Sequence, residues 1–301
     1  MAKKILVANP SIEHAISHCE ALEAGDILFF QDIPFSFPQE EIDFLLQQRQ
    51  GSSRARKNIA YKPRSDLLTN CDVRDAASAE RLKVALRTYS CKVVDFLSRF
   101  LSPYSAWWKV DYTSFRPFQE QGRALRIRAR NDLLHVDAFP TRPLHGERIL
   151  RFFTNINPTE SRRWMTSEPF AALAARFGGK EVPFPRGVTH AWSDRLRYKF
   201  QGWLERVGMP LRSPYDRFML ELHNFLKENS EFQKTCPKDH WDFPPRSCWA
   251  VFTDQVSHAA LSGQYALEQT MIIPRQALLR PECAPVSILE RLSERNMVLP
   301  H

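Results

Sequence analysis

The segment LLHVDAFPTRP, residues 133–143, places His135 and Asp137 two positions apart in a run that is otherwise apolar and ends at prolines. In a β-strand, side chains two residues apart point to the same face. An imidazole and a carboxylate that share a face form either part of a divalent-metal site or a simple hydrogen-bonded pair. Because so short a pattern recurs by chance, the rest of the chain has to decide between the two.

Short apolar runs with β-branched and aromatic residues surround this segment over residues 106–158 and recur over residues 247–274. Their two-residue periodicity and the turns between them predict antiparallel core strands of a sandwich or barrel. Helical patterns fill much of the interval, so we predict a mainly helical insertion over residues 160–240. Two sequential domains divided near Asn157 are the alternative, but that division leaves the last two strands without a sheet to join.

The first 105 residues predict one strand and helices that brace the core. The run GDILFFQDIPF, residues 25–35, is strand-like, whereas residues 38–48 and 78–101 carry apolar side chains at helical spacing. Ser78 is the expected N-cap of the longer helix. The prediction is therefore a single α+β domain over residues 1–301, with N-terminal helices and a helical insertion between core strands.

Charge and composition narrow the class of partner without identifying it. The chain is 43% hydrophobic and 25% charged, and 42 Lys and Arg against 34 Asp and Glu give a formal charge of +8. A negatively charged partner or substrate therefore fits, whether nucleic acid, anionic lipid or a small anion. The basic residues fall in separate short clusters, which is more typical of a solvated surface than of a binding block.

The cysteines and the N-terminus predict where the protein works. Six cysteines lie far apart and form no C-x-x-C pair, which argues against a zinc ribbon or a disulfide scaffold. The N-terminus has no signal-type apolar core, and no run approaches the ~20 apolar residues of a membrane span. We expect a cytoplasmic protein with reduced thiols that is at most peripheral on a membrane.

A metal site at His135 and Asp137 needs a third protein ligand. His258 closes a strand-like run and precedes a turn and another strand, so it occupies in the second β segment the kind of place that His135 occupies in the first. His145 falls in a turn and His223 on a helix of the predicted insertion, which makes them weaker candidates. Two histidines and one carboxylate form the facial triad of non-haem Fe(II) oxygenases, which leaves positions open for dioxygen and a co-substrate.

Two longer segments carry a family resemblance. HVDAFPTRPLHGERILRFFTNINP, residues 135–158, and FTDQVSHAALSGQYALEQT, residues 252–270, resemble the Kdo (3-deoxy-D-manno-oct-2-ulosonic acid) 3-hydroxylases of Gram-negative bacteria. These belong to the Fe(II)/2-oxoglutarate-dependent dioxygenases. The resemblance extends over most of the chain, from GDILFF at residue 25 to MIIP at residue 274.

The resemblance implies a fold, a site and a reaction. The fold is a double-stranded β-helix, or jelly roll, and His135, Asp137 and His258 are the expected iron ligands. The cofactors are Fe(II), 2-oxoglutarate as co-substrate and O2. The implied reaction is hydroxylation of Kdo at carbon 3 on a Kdo-containing lipid A precursor, with no nucleic-acid partner and with possible peripheral contact at the cytoplasmic face of the inner membrane.

The chain departs from the wider superfamily at the position of the basic residue that is expected to bind the co-substrate. Many members carry an arginine roughly ten residues after the distal histidine, where this chain has Glu268. A bound dicarboxylate still needs a cation, preferably a forked one. Arg148 and Arg151, on the strand after the H-x-D motif, are the lead candidates for 2-oxoglutarate binding, ahead of Arg128 and Arg275.

Further basic and aromatic residues are candidates for binding an acidic sugar. They are Arg142, Arg162, Arg163 and Trp164, which we place in the turn after the motif and at the rim of the barrel. A solvated rim with a packing tryptophan is the simpler reading of the last three. Two other functions stay open: a related oxygenase with a different anionic substrate, and a basic binding module whose histidines only pack a core. A zinc hydrolase is less favoured.

Overall fold

Eleven strands in two sheets form the core of the part of the chain that the structure describes. The computed structural model describes residues 1–48, 58–72, 75–122, 124–188 and 211–298. Within these ranges the strands are β1 Lys4–Leu6, β2 Ile27–Phe30, β3 Ile59–Lys62, β4 Leu67–Thr69, β5 Lys109–Arg116, β6 Arg148–Asn155, β7 Arg162–Pro169, β8 Asp239–Phe243, β9 Cys248–Phe252, β10 Val256–Ser262 and β11 Ala266–Ile273.

The strand order shows how the two sheets are connected. The larger sheet runs β1-β2-β9-β6-β11-β5-β3-β4 and the smaller runs β10-β7-β8. The pairs are antiparallel except β1 with β2. Along the chain, β7 of the smaller sheet follows β6 of the larger one, β9 of the larger sheet follows β8, and β10 lies between β9 and β11, so the chain passes back and forth between two facing layers.

The motif segment completes the smaller sheet at the edge of β10. We call residues 133–137 the HxD segment. His135 and His258 exchange both backbone hydrogen bonds, with N···O distances of 3.1 and 2.9 Å, and the N–H of Asp137 donates to the carbonyl of Thr253 at 2.9 Å. The HxD segment, β10, β7 and β8 therefore face β9, β6, β11 and β5, which is the double-stranded β-helix that the resemblance implied.

Helices surround this core. They are α1 Ala15–Glu23, α2 Gln39–Gln47, α3 Ala76–Phe100, α4 Ser102–Ser105, α5 Phe170–Phe177, α6 Pro214–Glu228, α7 Ser230–Thr235 and α8 Pro285–Ser293. The longest, α3, packs the ring of Phe96 at 5.9 Å from that of Phe152 on β6, so it braces the outer face of the larger sheet. The predicted cap at Ser78 is wrong, because the carboxylate of Asp75 accepts the N–H groups of Ala77 and Ser78 and starts the helix earlier.

The predicted insertion boundaries need correction at both ends. Residues 162–169 form β7 and residues 239–243 form β8, so both ends of the interval 160–240 belong to the smaller sheet. The helical patterns confirmed within it are α5, α6 and α7. The boundary was missed because Arg162, an inward-facing strand residue only 1% exposed, was taken for a rim residue. The helical pattern over residues 193–208 lies outside the described residues.

Side chains of the insertion cover the outer edge of the HxD segment. The side-chain amide of Gln233 on α7 accepts the N–H of Leu134 at 3.0 Å and donates to its carbonyl at 2.9 Å. Nδ1 of His223 on α6 lies 2.7 Å from the carbonyl of Val136. Buried backbone polar groups need such partners, so these side chains take the place of a neighbouring strand.

All six cysteines have free thiols in the structure. None of the helices in the described ranges is long and apolar enough to cross a bilayer. The buried apolar side chains instead belong to the protein core, where those of α3, α6 and the larger sheet form one continuous cluster.

A buried ion pair joins β6 to the loop after β9. Nε of Arg148 donates to Asp254 at 2.8 Å, both side chains are fully buried, and the guanidinium lies 4.1 Å from the centroid of the Phe252 ring. Arg148 is three residues before Arg151 on β6, so the two side chains point to opposite faces of the strand. Arg148 thus faces the packed outer layer of the sheet.

We predict that Arg148 stabilises the folded protein. Arg148→Met leaves Asp254 buried without its counter-ion, which is expected to lower the free energy of unfolding by about 3–5 kcal/mol. The double variant Arg148→Met/Asp254→Leu should recover most of that loss, because it removes both charges. Urea denaturation followed by circular dichroism measures both; a single variant as stable as the parent would contradict the assignment.

Candidate metal centre

Two histidines and one aspartate meet where the HxD segment pairs with β10. The ring centroids of His135 and His258 are 4.7 Å apart, and Nε2 of His135 lies 3.6 Å from Oδ1 of Asp137. All three side chains are buried. The structure therefore brings together the three residues that the sequence and the resemblance singled out, although His258 lies within β10 and not at the end of the preceding strand.

Backbone carbonyls fix the orientation of both imidazoles. Nδ1 of His135 lies 2.7 Å from the carbonyl of Leu133, and Nδ1 of His258 lies 3.1 Å from that of Val256. Because a carbonyl only accepts, each Nδ1 carries the proton and each Nε2 keeps a lone pair. The indole of Trp164 stacks on the His258 ring, at 5.3 Å between centroids and an interplanar angle of 18°.

A third histidine, His223 of α6, also reaches this place. One ligand atom from each of His135, Asp137 and His223 lies within 4.8 Å of the others, whereas His258 stands outside that group. The ring centroids of His223 and His135 are 4.9 Å apart. The sequence analysis ranked His223 below His258, because nothing in the pattern of a helix reveals which loop or strand end it will pack against.

Burial and neighbouring charges set the protonation states of the three histidines and of Asp137. Burial lowers the pKa of His135 and His258, and burial together with the Lys227 cation lowers the pKa of His223 to about 4. Burial alone would raise the pKa of Asp137, but Arg151 and the His135 ring hold it well below its usual range. At neutral pH the site thus offers neutral imidazoles and an ionised carboxylate, the forms that bind a metal.

A chain of alternating charges extends from Asp137 across the cavity. Each side chain is at most 13% exposed, and each N···O separation is 3.4 Å or less. In order, the members are Asp137, Arg151, Glu268, Arg116, Glu120 and Arg162. The Nε atoms of the three arginines have no hydrogen-bond partner among the described residues. These N–H groups are available to an anion.

Of the three arginines, Arg162 is the one whose positive charge is offset least by nearby carboxylates. Burial lowers its pKa to about 10, and its ion-pair partner among the described residues, Glu120, lies 3.4 Å away. Its Nη1 donates to the carbonyl of Gly263 at 3.2 Å. Gly263 has a φ of +118°, and a Cβ there would lie 3.0 Å from Cα of Arg162, so this close approach requires glycine.

The cavity at the metal-centre candidates is small, about 40 Å³. Its lining includes the three triad candidates, all three arginines of the charge chain and the ring of Trp164. That volume admits water but not a dicarboxylate. A ligand of that size therefore requires side chains of the charge chain to move.

The arginines named from the sequence occupy different surroundings. Arg151, Arg162 and Trp164 line the cavity, but Arg148 does not, because its guanidinium is bound to Asp254 on the other face of β6. Arg163 points outward, 68% exposed, beside Asp242. The expectations that Arg148 contacts the co-substrate and that Arg163 contacts the substrate are therefore corrected.

Arg116 was missed by the sequence reasoning. It ends β5, and its position inside the cavity depends on a pairing with Glu268 at 2.8 Å that joins β5 to β11. The one signal was Glu268 itself, an acid at a position where the superfamily favours a base. Such an acid implies basic neighbours, but the sequence does not reveal which.

Arg142 lies in a separate groove of about 480 Å³. Its guanidinium stands 4.0 Å from the centroid of Tyr112 and 4.1 Å from that of Phe139, and it pairs with Asp111. The remaining basic residues of the groove are Lys62, Arg64, Lys109 and His145. We call this the basic groove; Phe139, two residues after Asp137, separates it from the metal-centre candidates.

Comparisons with known proteins agree with this geometry. Residues 7–296 match the family model for 3-deoxy-D-manno-oct-2-ulosonic acid (Kdo) hydroxylase. The solved structure of the Kdo hydroxylase KdoO, a non-haem Fe(II) alphaketoglutarate-dependent dioxygenase, in complex with alphaketoglutarate and Fe(III) is 36% identical, with 98% of this chain and 97% of that chain covered and a TM-score of 0.83. The KdoO structures with cobalt(II) and with succinate and Fe(III) are each 35% identical, with 99% and 98% of the two chains covered and TM-scores of 0.84 and 0.82. No curated protein matches the sequence at a significant level.

The lowered histidine pKa values predict a pH-dependent stability of the metal-free protein. The unfolded chain binds protons at a histidine pKa near 6.5, whereas folded His223 binds one only near pH 4, so stability is complete above about pH 6.5 and falls as the pH is lowered. His223 alone should contribute a loss of about 2 kcal/mol between pH 7.5 and pH 5. Urea denaturation in the presence of a chelator measures this loss. His223→Gln should make the pH dependence shallower, and an unchanged slope would contradict the assignment.

Proposed function

The chain belongs to the Kdo hydroxylase family of Fe(II)/2-oxoglutarate-dependent dioxygenases, and on that premise we propose that it hydroxylates Kdo at carbon 3 on a Kdo-containing lipid A precursor. The enzyme class, and the use of Fe(II), 2-oxoglutarate and O2, follow from family membership. The carbon position and the lipid A context are the proposal. The observation that supports it most directly is the pairing that sets His135, Asp137 and His258 beside a cavity rich in arginine.

We propose that His135, Asp137 and His258 hold the iron. The donor set fits, because two imidazoles with proton-bearing Nδ1 atoms and one ionised carboxylate are the facial triad of this enzyme class. When bound, Fe(II) supplies the coupling of O2 to the oxidative decarboxylation of 2-oxoglutarate, which gives succinate, carbon dioxide and an oxygen for the substrate. The protein contributes fixed ligands, and Trp164 keeps the His258 ring in place from its far side.

We propose Arg162 as the main anchor of the 2-oxoglutarate carboxylate that lies away from the iron. It is buried, its charge is weakly offset, and its Nε–H has no hydrogen-bond partner within the described ranges, so a carboxylate there gains charge-assisted hydrogen bonds. Arg151 spans Asp137 and Glu268 in the cavity, and its side chain has to shift to admit the dicarboxylate. Glu268 holds Arg116 and Arg151 at the place where other members of the superfamily present their own arginine.

The basic groove is the proposed site for the acidic part of the substrate. Kdo carries a carboxylate and lipid A carries phosphates, and Arg142 stands between two rings in a groove that holds four further basic side chains. The groove lies next to Phe139, close in sequence to Asp137. A positive groove of this kind also attracts an anionic membrane surface, which supports a cytoplasmic enzyme in peripheral contact with the inner membrane.

We expect the purified enzyme with Fe(II), 2-oxoglutarate and O2 to add one oxygen to a Kdo-containing lipid A precursor. The reaction consumes one C–H bond, one O2 and one 2-oxoglutarate, and yields one C–OH, one succinate and one carbon dioxide. Mass spectrometry of the lipid and quantification of succinate measure the two products together. His258→Ala should form neither product, because it loses a metal ligand, whereas the exposed His240→Ala should form both.

Two results would contradict parts of this proposal. Succinate formation without any oxygen on the sugar favours the alternative, a related oxygenase with another anionic substrate. Full activity of His258→Ala removes that residue from the metal centre.

Adjacent arginines give a matched test of the co-substrate anchor. Arg162→Met removes a buried cation from the cavity, and we expect the KM for 2-oxoglutarate to rise about 10- to 100-fold, as for the loss of a charged hydrogen-bond partner. Arg163→Met removes an exposed cation from the same strand and should leave that KM unchanged. Steady-state kinetics measures both, with thermal unfolding as a check on folding. Equal KM values for the two variants would reassign the anchor.

A further inference from the structure

His223 is an imidazole at the metal centre that the facial triad does not use. The triad comes from strands of the β-helix, whereas His223 comes from α6 of the insertion. One ligand atom of His223 nevertheless lies within 4.8 Å of ligand atoms of both His135 and Asp137. Two donors that share one ion at about 2.1 Å each are at most about 4.2 Å apart, so a spacing of up to 4.8 Å requires a small side-chain shift before these donors share an ion.

The position of His223 is fixed from both sides. At the start of α6, Ser213 and Asp216 form a capping box, and the Asp216 carboxylate also accepts the N–H of Leu144 at 2.7 Å. Nδ1 of His223 donates to the carbonyl of Val136, the residue between the two motif ligands. The helix is therefore held against the HxD segment, and the imidazole cannot leave without breaking that bond.

The hydrogen bond to Val136 accounts for only one of the two ring nitrogens of His223. It uses Nδ1, and it leaves the Nε2 lone pair as an additional neutral donor, the same arrangement found at His135 and His258. An amide side chain could satisfy the carbonyl of Val136 as well as an imidazole does. The second nitrogen is not needed for that hydrogen bond and can serve as a metal donor.

We propose that Nε2 of His223 is a fourth protein donor to the metal while 2-oxoglutarate is absent, and that the co-substrate displaces it. This inference rests on the proposed metal centre. A facial triad leaves three of six positions open, and 2-oxoglutarate takes two of them, so a donor from a helix outside the β-helix holds the metal until the co-substrate arrives.

Binding of cobalt(II) alone tests the proposal, because it reports on the metal without turnover. His223→Asn keeps an amide nitrogen near the Nδ1 position for the Val136 carbonyl but supplies no Nε2, whereas His223→Gln places its amide nearer the Nε2 position. We expect His223→Asn to bind cobalt(II) about 10- to 100-fold more weakly without 2-oxoglutarate and to change its visible absorption spectrum. With saturating 2-oxoglutarate the affinity difference should shrink.

Control variants distinguish a failure of the inference about His223 from a failure of the proposed metal centre. His240→Asn, the same change at an exposed histidine, should match the parent in affinity and spectrum. If His135→Ala and His258→Ala lose cobalt(II) but His223→Asn binds it with the parent's affinity and spectrum, the inference about His223 is overturned and the metal centre stands. If all three variants bind cobalt(II) like the parent, the metal centre itself is wrongly assigned. A loss in His223→Asn that persists unchanged with saturating 2-oxoglutarate overturns the displacement step.

Discussion

The backbone pairing of His135 with His258 is the contact on which the rest of the site depends. These residues come from segments separated by the whole insertion, yet each gives and accepts one hydrogen bond with the other. Side chains of paired strands alternate between faces, so a shift of one residue would turn either imidazole away from the cavity. The register of one bridge thus fixes the ligand positions, and the Nδ1 bonds to Leu133 and Val256 then fix the rings.

Ion pairs between charged side chains determine the arrangement of the cavity more than its shape does. Three arginines and three carboxylates alternate from Asp137 to Arg162, and they hold one another in place with little exposure to solvent. Ion pairs this deeply buried stabilise a fold weakly, because desolvation offsets much of the attraction. We infer that their role is to position side chains: Glu268 holds the guanidinium groups of Arg116 and Arg151 at the cavity proposed for the dianionic co-substrate, and Arg162 is the cation least offset by carboxylates.

The helical insertion also has a structural role beside the site. The HxD segment pairs with β10 on one edge only, and the other edge would present unpaired backbone groups. Gln233 and His223 satisfy those groups from two helices. The insertion therefore supports the short segment that carries two of the proposed ligands, and the same contact brings a third histidine, His223, to that place.

The sequence by itself determined the family, the β-helix and the H-x-D pair with its distant histidine, because these depend on local periodicity and on specific motifs that stand together in the chain. It did not determine the arginine partners. Arg148 and Arg151 look alike in the sequence of β6, but strand alternation and the neighbours across the sheet place one against Asp254 and the other beside Asp137. His223 was ranked as a weaker candidate for the same reason: a helix shows which of its faces is apolar, whereas the strand edge that its polar residues meet is decided only when the layers pack.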